Sequence, residues 1–237
     1  MRHRVNSGLA QPHGGLEQHL TPRTYLAQLV AEELAVTQFT LVPASVSRVA
    51  ICDGRISEEI FIPLGTTDFG HVLERVERCR ADAVLMLLVG EDAVHFNRAF
   101  AKAGLHQRCR RLSTLMDENM LLASGAGSTR GICATAAYFE ALTTPESLDF
   151  GWRYTRRFGS DAPTLNSLGE SCYEGVVMLA ALARQAQSLD PRTMCAVADS
   201  VSYDGPRGEL HMRDRHVDQR VYLAEANDIE FDVIAQL

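Results

Sequence analysis

The sequence predicts an α/β protein in which parallel strands alternate with helices. Residues 83–89 read AVLMLLV, an uninterrupted apolar run of the kind found in strands buried on both faces of a parallel sheet. Just before this run, Phe69, Val72, Leu73, Val76 and Cys79 recur at the spacing of one helix face. Strands that alternate with helices of roughly 10–15 residues indicate βαβ units.

The chain before this run predicts fewer regular elements. Residues 1–20 are polar and rich in Gly and His, and we interpret them as an irregular lead-in. A helix over residues 21–34 starts at Thr21-Pro22, and a short strand is expected at residues 38–42. Residues 56–64 predict another strand, after which Thr67-Asp68 caps the first clear helix.

The rest of the chain continues the alternation. Asp92 is expected to start a helix, Pro145 to start one that ends at Phe158, and Asp190-Pro191 to cap a third. Further strands are predicted at residues 112–115, 132–138, 221–224 and 231–234, a long helix at residues 170–186, and a turn at residues 202–208. In the long helix, we expect Tyr173 to pack and Glu174 to be a surface or first-turn charge.

Composition excludes several classes of function. The chain has 237 residues, 46% of them hydrophobic, enough for one large domain or two small ones. The formal net charge is -7 without a basic stretch, which argues against direct nucleic-acid binding. No apolar run reaches about 18 residues, so no membrane insertion is expected.

Six cysteines are widely spaced and form no CxxC pair. Common zinc sites need closely spaced ligand pairs, so we expect no metal. The cysteines are interpreted as small buried hydrophobes. Scattered free thiols favour a reducing compartment.

The common catalytic motifs are absent from the sequence. There is no HExxH, no GxSxG and no GxxxxGK[ST]. Gly125, Gly127 and Gly131 approach a dinucleotide fingerprint, but their spacing differs and they precede a predicted strand. We therefore expect no catalytic residue and no cofactor. A hydrolase or oxidoreductase of doubly wound fold would need a nucleophile–base pair or a cofactor loop, and neither is found.

Two polar segments follow predicted strands. Gly90 to Asp92 comes after the apolar run, and Asp117 to Asn119 comes after the strand at residues 112–115. Ligands of open α/β sheets bind at the carboxyl ends of the strands. Position alone therefore marks these segments as candidates for a ligand site.

The segment at residues 58–105 carries a recognisable motif order. It reads EEIFIPLGTTDF, then a helix, then RADAVLMLLVG and a helix that contains aromatic residues. Ala137-Tyr138-Phe139, residues 170–175 (ESCYEG) and residues 203–208 (YDGPRG) follow in sequence. From about Ile56 to its end, the chain resembles type I periplasmic binding proteins of the amide and urea branch. That branch includes a negative regulator of amidase operons and the substrate-binding proteins of urea and short-chain amide ABC transporters.

The resemblance implies a fold and a domain division. The fold has parallel sheets flanked by helices in two lobes with the ligand between them, here one nearly complete lobe and part of a second. Residues 21–138 and 217–237 would form the second lobe, and residues 139–216 the remaining part of the first. Family members are longer at the N-terminus, which implies that this chain is N-terminally truncated.

The resemblance also implies a binding site. The positions that match the second-lobe ligand loops are Gly90, Glu91, Asp92, Leu115, Met116, Asp117 and Glu118, and Tyr138 would add an aromatic wall. A carboxylate of Asp117 or Glu118 could accept an amide N–H, or it could cap a helix. Tyr138 could equally belong to the core.

The function implied is non-enzymatic binding of a short-chain amide, urea or an amino acid. An ABC permease would be the partner of a transporter component. The alternatives are a cytoplasmic amide-responsive regulator with a regulatory-protein partner, and a truncated remnant that binds nothing. The first 15 residues lack an apolar signal-peptide core. This predicts a cytoplasmic protein as written, or a periplasmic or extracellular one if its true N-terminus lies elsewhere.

Overall fold

A computed structural model describes residues 55–159, 161–214 and 216–237. The predictions for residues 1–20, 21–34 and 38–42 lie outside the described residues. Within the described ranges, helices and strands alternate as far as the third strand. The expected α/β class, with parallel strands that alternate with helices, is confirmed over this part of the chain.

The first half of the described chain alternates regularly. Its elements are α1 (Gly70–Cys79), β1 (Ala83–Met86), α2 (Gly90–Lys102), β2 (Arg110–Ser113), α3 (Glu118–Ser124), α4 (Ala126–Thr129) and β3 (Ile132–Ala136). Two longer helices and a run of strands follow. They are α5 (Pro145–Phe158), α6 (Ser167–Ala186), α7 (Pro191–Ala196), β4 (Ser202–Gly205), β5 (Gly208–Arg213), β6 (His216–Asp218), β7 (Tyr222–Asn227) and β8 (Glu230–Gln236).

The larger sheet is mixed. Its strand order is β1-β2-β3-β7-β8, with β1, β2 and β3 parallel and the last two strands antiparallel to their neighbours. Asn227 pairs with Glu230 across a two-residue turn in which Asp228 has φ 56°. A turn this short can join only antiparallel strands, which explains why the sheet is not parallel throughout.

Strands β4, β5 and β6 form a separate antiparallel sheet. Gly205 pairs with Gly208, so Pro206 and Arg207 form the turn of the β4–β5 hairpin. The sequence predicts only a turn over residues 202–208, and the structure adds the paired strands on either side. The hairpin packs near α6 and α7, whose Leu182 and Met194 share a buried cluster with Val201.

The predicted helix faces are confirmed where the periodicity is strong. Phe69, Val72, Leu73 and Val76 are buried and pack with Phe96 and Phe100 of α2. Removing such side chains from water stabilises the fold by about 1.5–3 kcal/mol each. This helix face therefore fixes α1 against α2 and β1.

Helix starts follow their capping residues. The Thr144 hydroxyl accepts from Ser147 N at 3.3 Å, with Pro145 in the first turn. Asp190 Oδ2 accepts from Thr193 N at 2.9 Å at the start of α7. The bounds predicted for α5, residues 145–158, are confirmed.

Most strand bounds differ from those predicted, and two predictions differ most. The run at residues 83–89 forms a strand only to Met86, and Leu85 is 38% exposed because β1 is an edge strand among the described residues. Residues 56–64 pair with no described strand; Ile60 and Ile62 instead pack on the α1–α2 core. A run of apolar residues indicates burial, but it does not by itself indicate that the segment pairs with a neighbouring strand.

The expectation for Glu174 is also wrong. Its side chain is buried at 2% exposure, because Arg207 of the hairpin turn forms an ion pair with it. Tyr173, which we expect to pack, lies against Phe150 with ring centroids 4.8 Å apart. The strands of the five-stranded sheet come from residues 83–136 and 222–236. The division of the chain into two lobes stays a prediction.

Candidate functional site

The parallel strands bring the predicted site segments to one edge of the sheet. Met86 pairs with Ser113, and Ser113 pairs with Ala134. The chain therefore leaves β1, β2 and β3 at the same edge. We call this the carboxyl edge: residues 87–92, residues 114–118 and Tyr138.

The first segment forms the start of α2. Gly90 has φ 57°, a left-handed conformation that glycine adopts at little cost. Asp92 is buried, and both of its carboxylate oxygens accept from Gly65 N at 3.1 Å. Glu91 is exposed. Asp92 therefore fixes the loop at Gly65, and Glu91 presents a free-standing carboxylate at the surface.

The second segment turns away from the sheet directly after β2. Leu115 N donates to Ser113 Oγ at 3.1 Å, which ends the strand two residues earlier than predicted. Leu115 is partly exposed, whereas Met116 is buried. The Met116 sulfur accepts from Asn97 Nδ2 at 3.7 Å, which anchors this loop to α2.

Asp117 has two hydrogen bonds within the protein. Its Oδ1 accepts from Met120 N at 2.8 Å and so caps α3. Its Oδ2 accepts from Asn166 Nδ2 at 2.7 Å. Each carboxylate oxygen can accept a second bond, so the capping role leaves capacity for a ligand donor.

Glu118 is buried in the first turn of α3. Its Oε1 accepts from Glu140 N at 2.9 Å, and the side chain is almost fully removed from solvent. Burial, the largest cause, raises the pKa of Glu118 to about 7, and the negative charges of Asp117 and Glu140 add to the rise. A carboxyl group of this pKa exchanges its proton near neutral pH.

Tyr138 lies behind the loops instead of lining open space. It is 1% exposed, and its ring meets Phe150 edge-on with centroids 6.3 Å apart. Burial raises the pKa of Tyr138 to about 12. In this structure Tyr138 supports the carboxyl edge from the core side, and its contact with a ligand stays a prediction.

A pocket of about 570 Å³ lies beside the carboxyl edge. Its walls are mainly apolar and aromatic and come from α5, the N-terminal part of α6 and the loop before α6. Asn119 and Asn166 reach it from the side of the carboxyl edge; Asn119 Nδ2 donates to Thr164 O at 3.3 Å. Asn119 and Asn166 therefore connect the carboxyl edge to this pocket. Neither residue is among the ligand contacts predicted from the sequence.

Sequence reasoning missed Asn119 as an individual contact and missed Asn166 altogether. Asn166 caps α6, where its Oδ1 accepts from Gly169 N at 2.8 Å, and an Asn before a predicted helix is a usable capping signal. Its bond to Asp117 joins segments that are far apart in sequence. No local pattern could have indicated that contact.

Two other kinds of site are not found in the described part of the chain. Residues 55–159, 161–214 and 216–237 contain no group of three or more His, Cys, Asp or Glu side chains that could hold a metal ion. Within the same ranges, no helix has the length and hydropathy that crossing a bilayer requires. The cysteines described there form no disulfide bond; Cys109 and Cys133 are buried as expected, Cys79 is partly exposed, and Cys172 and Cys195 are exposed, so the expectation of burial is wrong for those two.

A family model described as "Periplasmic binding protein" matches residues 42–230. Among curated proteins, the "Leu/Ile/Val-binding protein homolog 6" of Brucella melitensis is 25% identical over 179 residues. That alignment covers 73% of this chain and 45% of the Brucella protein. The chain thus spans about half the length of the curated relatives that it matches.

Solved structures confirm the fold class predicted from the sequence, the α/β fold of type I periplasmic binding proteins. A periplasmic binding protein from Burkholderia mallei superposes with a TM-score of 0.76 at 19% identity, covering 90% of this chain and 62% of that one. A solute-binding protein of an ABC transporter from R. palustris, solved in complex with 4-hydroxybenzoate, gives a TM-score of 0.73 at 22% identity. The second match covers 84% of this chain and 56% of that one.

Proposed function

Because this chain belongs to the periplasmic binding protein family, we propose that it binds a small polar molecule at the carboxyl edge without chemically changing it. The observation that carries the proposal is the meeting of residues 87–92 and 114–118 at one end of three parallel strands. Open α/β sheets bind ligands at that end. The proposed contacts are Gly90, Glu91, Asp92, Leu115, Met116, Asp117, Glu118 and Tyr138.

The chemistry of this edge suits a ligand with both hydrogen-bond donors and acceptors. Glu91 is exposed and can accept, and Asp117 retains acceptor capacity beside its cap. The first N–H groups of α2, which begins at Gly90, can donate because a helix start leaves them without an intrahelical acceptor. An unpaired polar group in a closed site costs about 1–3 kcal/mol, so both kinds of partner are needed for an amide.

The ligand classes we propose are short-chain amides, urea and aliphatic amino acids. The resemblance of residues 58–105 to the amide and urea branch favours the first two. The name of the Brucella relative, a Leu/Ile/Val-binding homologue, favours the third. The 4-hydroxybenzoate complex of the R. palustris protein adds aromatic carboxylates to the compounds worth testing.

For the whole protein, we propose the role of substrate-binding component of an ABC transporter, acting outside the cytoplasm with a permease as partner. Names of relatives support this role, among them an amino acid ABC transporter substrate-binding protein from Pseudomonas fluorescens.

A cytoplasmic amide-responsive regulator would use the same binding step. Loss of ligand uptake on deletion of the gene supports transport, whereas unchanged uptake with altered expression of an amidase supports regulation.

The binding step is tested by thermal unfolding of the purified chain with acetamide, butyramide, urea, formamide, leucine, valine and 4-hydroxybenzoate. A ligand that binds only the folded state raises the unfolding midpoint by mass action. At a ligand concentration of 100 times Kd, the free energy of unfolding rises by about 2.7 kcal/mol. We expect one class to give a saturable rise. Glu91→Gln should weaken that rise, because it removes the negative charge and replaces one of the two acceptor oxygens with an NH₂ donor.

Glu146→Gln is the matched control, since Glu146 is an exposed carboxylate in the first turn of α5. It should leave the ligand-induced rise unchanged. A cooperative transition without any rise across the panel would contradict the proposal and identify the chain as a remnant that folds but does not bind. A rise that Glu91→Gln and Asp117→Asn leave intact would place binding elsewhere.

A further inference from the structure

A buried ionic cluster joins α6 to the β4–β5 hairpin. Glu170 and Glu174 lie one turn apart on α6, and Arg207 lies in the hairpin turn. Their exposed fractions are 0%, 2% and 8%. Three ionisable groups so fully removed from water are rare unless they compensate one another.

Arg207 is the centre of the cluster. Its Nη2 lies 2.9 Å from Glu170 Oε2 and forms a second ion pair with Glu174 Oε2. Its Nη1 donates to Gln219 Oε1 at 2.7 Å, and Nη2 donates to Ser171 Oγ at 3.2 Å. Gln219 belongs to the segment that returns the chain to β7, so the cluster also fastens this connection.

The charges of the cluster do not balance if both carboxyl groups are ionised. Two carboxylates would then face one guanidinium, and a buried charge without compensation is strongly destabilising. Among the described residues, the phenols of Tyr203 on β4 and Tyr138 after β3 interact with the cluster, and the Arg220 guanidinium lies near Gly208, on the far side of the hairpin turn from Gly205. Neither phenol brings a positive charge.

A shared proton resolves this imbalance. Glu170 and Glu174 contact the same atom, Nη2 of Arg207, and neither oxygen of Glu170 has a well-aligned donor in the described part of the chain. Burial, the largest cause, raises the pKa of Glu170 to about 8, with Arg207 opposing the rise and Glu174 adding to it. Burial raises the pKa of Glu174 as well.

The hairpin backbone lies directly on the cluster. A Cβ added to Gly205 would overlap Glu174 Oε1, so the Glu174 carboxyl group cannot move towards the hairpin while the hairpin stays docked. If the proton leaves, repulsion between the carboxylates has to be relieved by movement of the hairpin or by entry of water.

We propose that Glu170, Glu174 and Arg207 form a proton clamp, which holds the β4–β5 hairpin and the Gln219 segment on α6 while one proton is shared and loosens progressively as rising pH removes that proton. The clamp involves none of the loops at the carboxyl edge. Its action does not depend on a ligand, and its test uses the purified full chain alone.

The shared proton is tested by a carbon-13 NMR titration of the glutamate side-chain carboxyls. Besides the Glu118 carboxyl, whose pKa is raised to about 7, we expect a further carboxyl resonance of the wild-type chain to titrate well above the ordinary glutamate range, which lies near 4.3, and this further resonance to be missing in Glu170→Gln. Glu174→Gln is the second variant should the first fail to fold. If every glutamate of the cluster titrates in the ordinary range, the clamp does not exist.

Loosening of the hairpin is tested by hydrogen exchange at several pH values, with rates corrected for the intrinsic effect of pH. Between the ordinary glutamate range near pH 4.3 and the midpoint of the titration, the amides of β4 and β5 should lose protection by up to about tenfold per pH unit, because the open state then binds one proton fewer than the closed state; above the midpoint the loss should level off. Strands β2 and β3 are the internal reference. Glu170→Gln should abolish the loss, and Glu146→Gln should retain it. Equal loss of protection in wild type and Glu170→Gln would overturn the proposal.

Discussion

Asn166 Nδ2 donates a hydrogen bond of 2.7 Å to Asp117 Oδ2, across 49 residues of sequence. Each partner also caps a helix: Asp117 caps α3 and Asn166 caps α6. The start of one helix is thus tied to the start of another at the carboxyl edge. Any movement of α6 relative to the five-stranded sheet is therefore transmitted to a proposed ligand contact.

Replacing Asp117 with Ala should destabilise the chain by about 2 kcal/mol. Loss of an N-cap costs about 0.5–2 kcal/mol, and the Asn166 amide loses its acceptor as well. Urea unfolding of the two proteins measures the difference. Asp190→Ala is the control, because Asp190 caps α7 with its partners confined to Thr193 of the same helix. A smaller loss for Asp117→Ala than for Asp190→Ala would contradict the additional role of Asn166.

The elements that local patterns specify were predicted from the sequence, and the long-range contacts were not. The bounds of α5 follow from Thr144, Pro145 and an apolar face, all within one segment. The burial of Glu174 depends on Arg207, which a different element brings to it. A glutamate on a predicted helix is usually a solvated charge, and only the tertiary fold reverses that expectation.

The candidate site shows the same division. The parallel register places both predicted loops at one edge, which the alternation of strands and helices was sufficient to anticipate. The roles of individual side chains depend on which neighbours the fold supplies. Asp92 is occupied by Gly65 N, and Tyr138 is enclosed by the core, and neither fact has a signature in its own segment.

Arg111→Lys should destabilise the chain by about 2 kcal/mol. The Arg111 guanidinium is fully buried and donates to Asn97 Oδ1 at 2.7 Å, Ser128 O at 2.8 Å and Arg130 O at 2.6 Å. A single ammonium group cannot reproduce this planar set of donors, and an unsatisfied buried acceptor costs about 1–3 kcal/mol. Chemical denaturation measures the loss.

Arg110→Lys is the matched control on the same strand. Arg110 is half-exposed and forms an ion pair of 3.4 Å with Glu225, an interaction worth roughly 0–1 kcal/mol at the surface. We expect the control to stay within about 0.5 kcal/mol of wild type. Similar losses in both variants would show that burial of the Arg111 donors is not the cause.

Glu118→Gln should change how stability depends on pH. Burial raises the pKa of Glu118 to about 7 in the folded chain, above its value of roughly 4.3 in an unfolded chain. Between these values the folded state holds a proton that the unfolded state has lost, so the free energy of unfolding falls as pH rises through this window. The contribution lost by pH 8 is at most about 4 kcal/mol.

Urea denaturation at pH 5 and pH 8 measures this effect as the difference between the wild type and the variant. Gln retains an acceptor for Glu140 N and cannot ionise, so the variant should lose less stability than the wild type between the two pH values. Glu146→Gln, an exposed change on α5, should follow the wild type. Parallel pH profiles for wild type and Glu118→Gln would show that Glu118 is ionised throughout.

Two glycine substitutions test how closely the hairpin lies on α6. Gly205→Ala places a Cβ against the Glu174 carboxylate, and overpacking of this kind costs about 1–3 kcal/mol. Gly175→Ala lies inside α6 with no atom within 4 Å of the new Cβ apart from the helix's own backbone, and should stabilise the chain by up to about 1 kcal/mol. The midpoints of thermal unfolding of the two variants compare the same added methyl group where there is open space, at Gly175, and where Glu174 is in the way, at Gly205. If Gly205→Ala were neutral while Gly175→Ala stabilised as expected, the hairpin could shift away from Glu174 without penalty. The close contact between the hairpin and α6 would then be dispensable for stability.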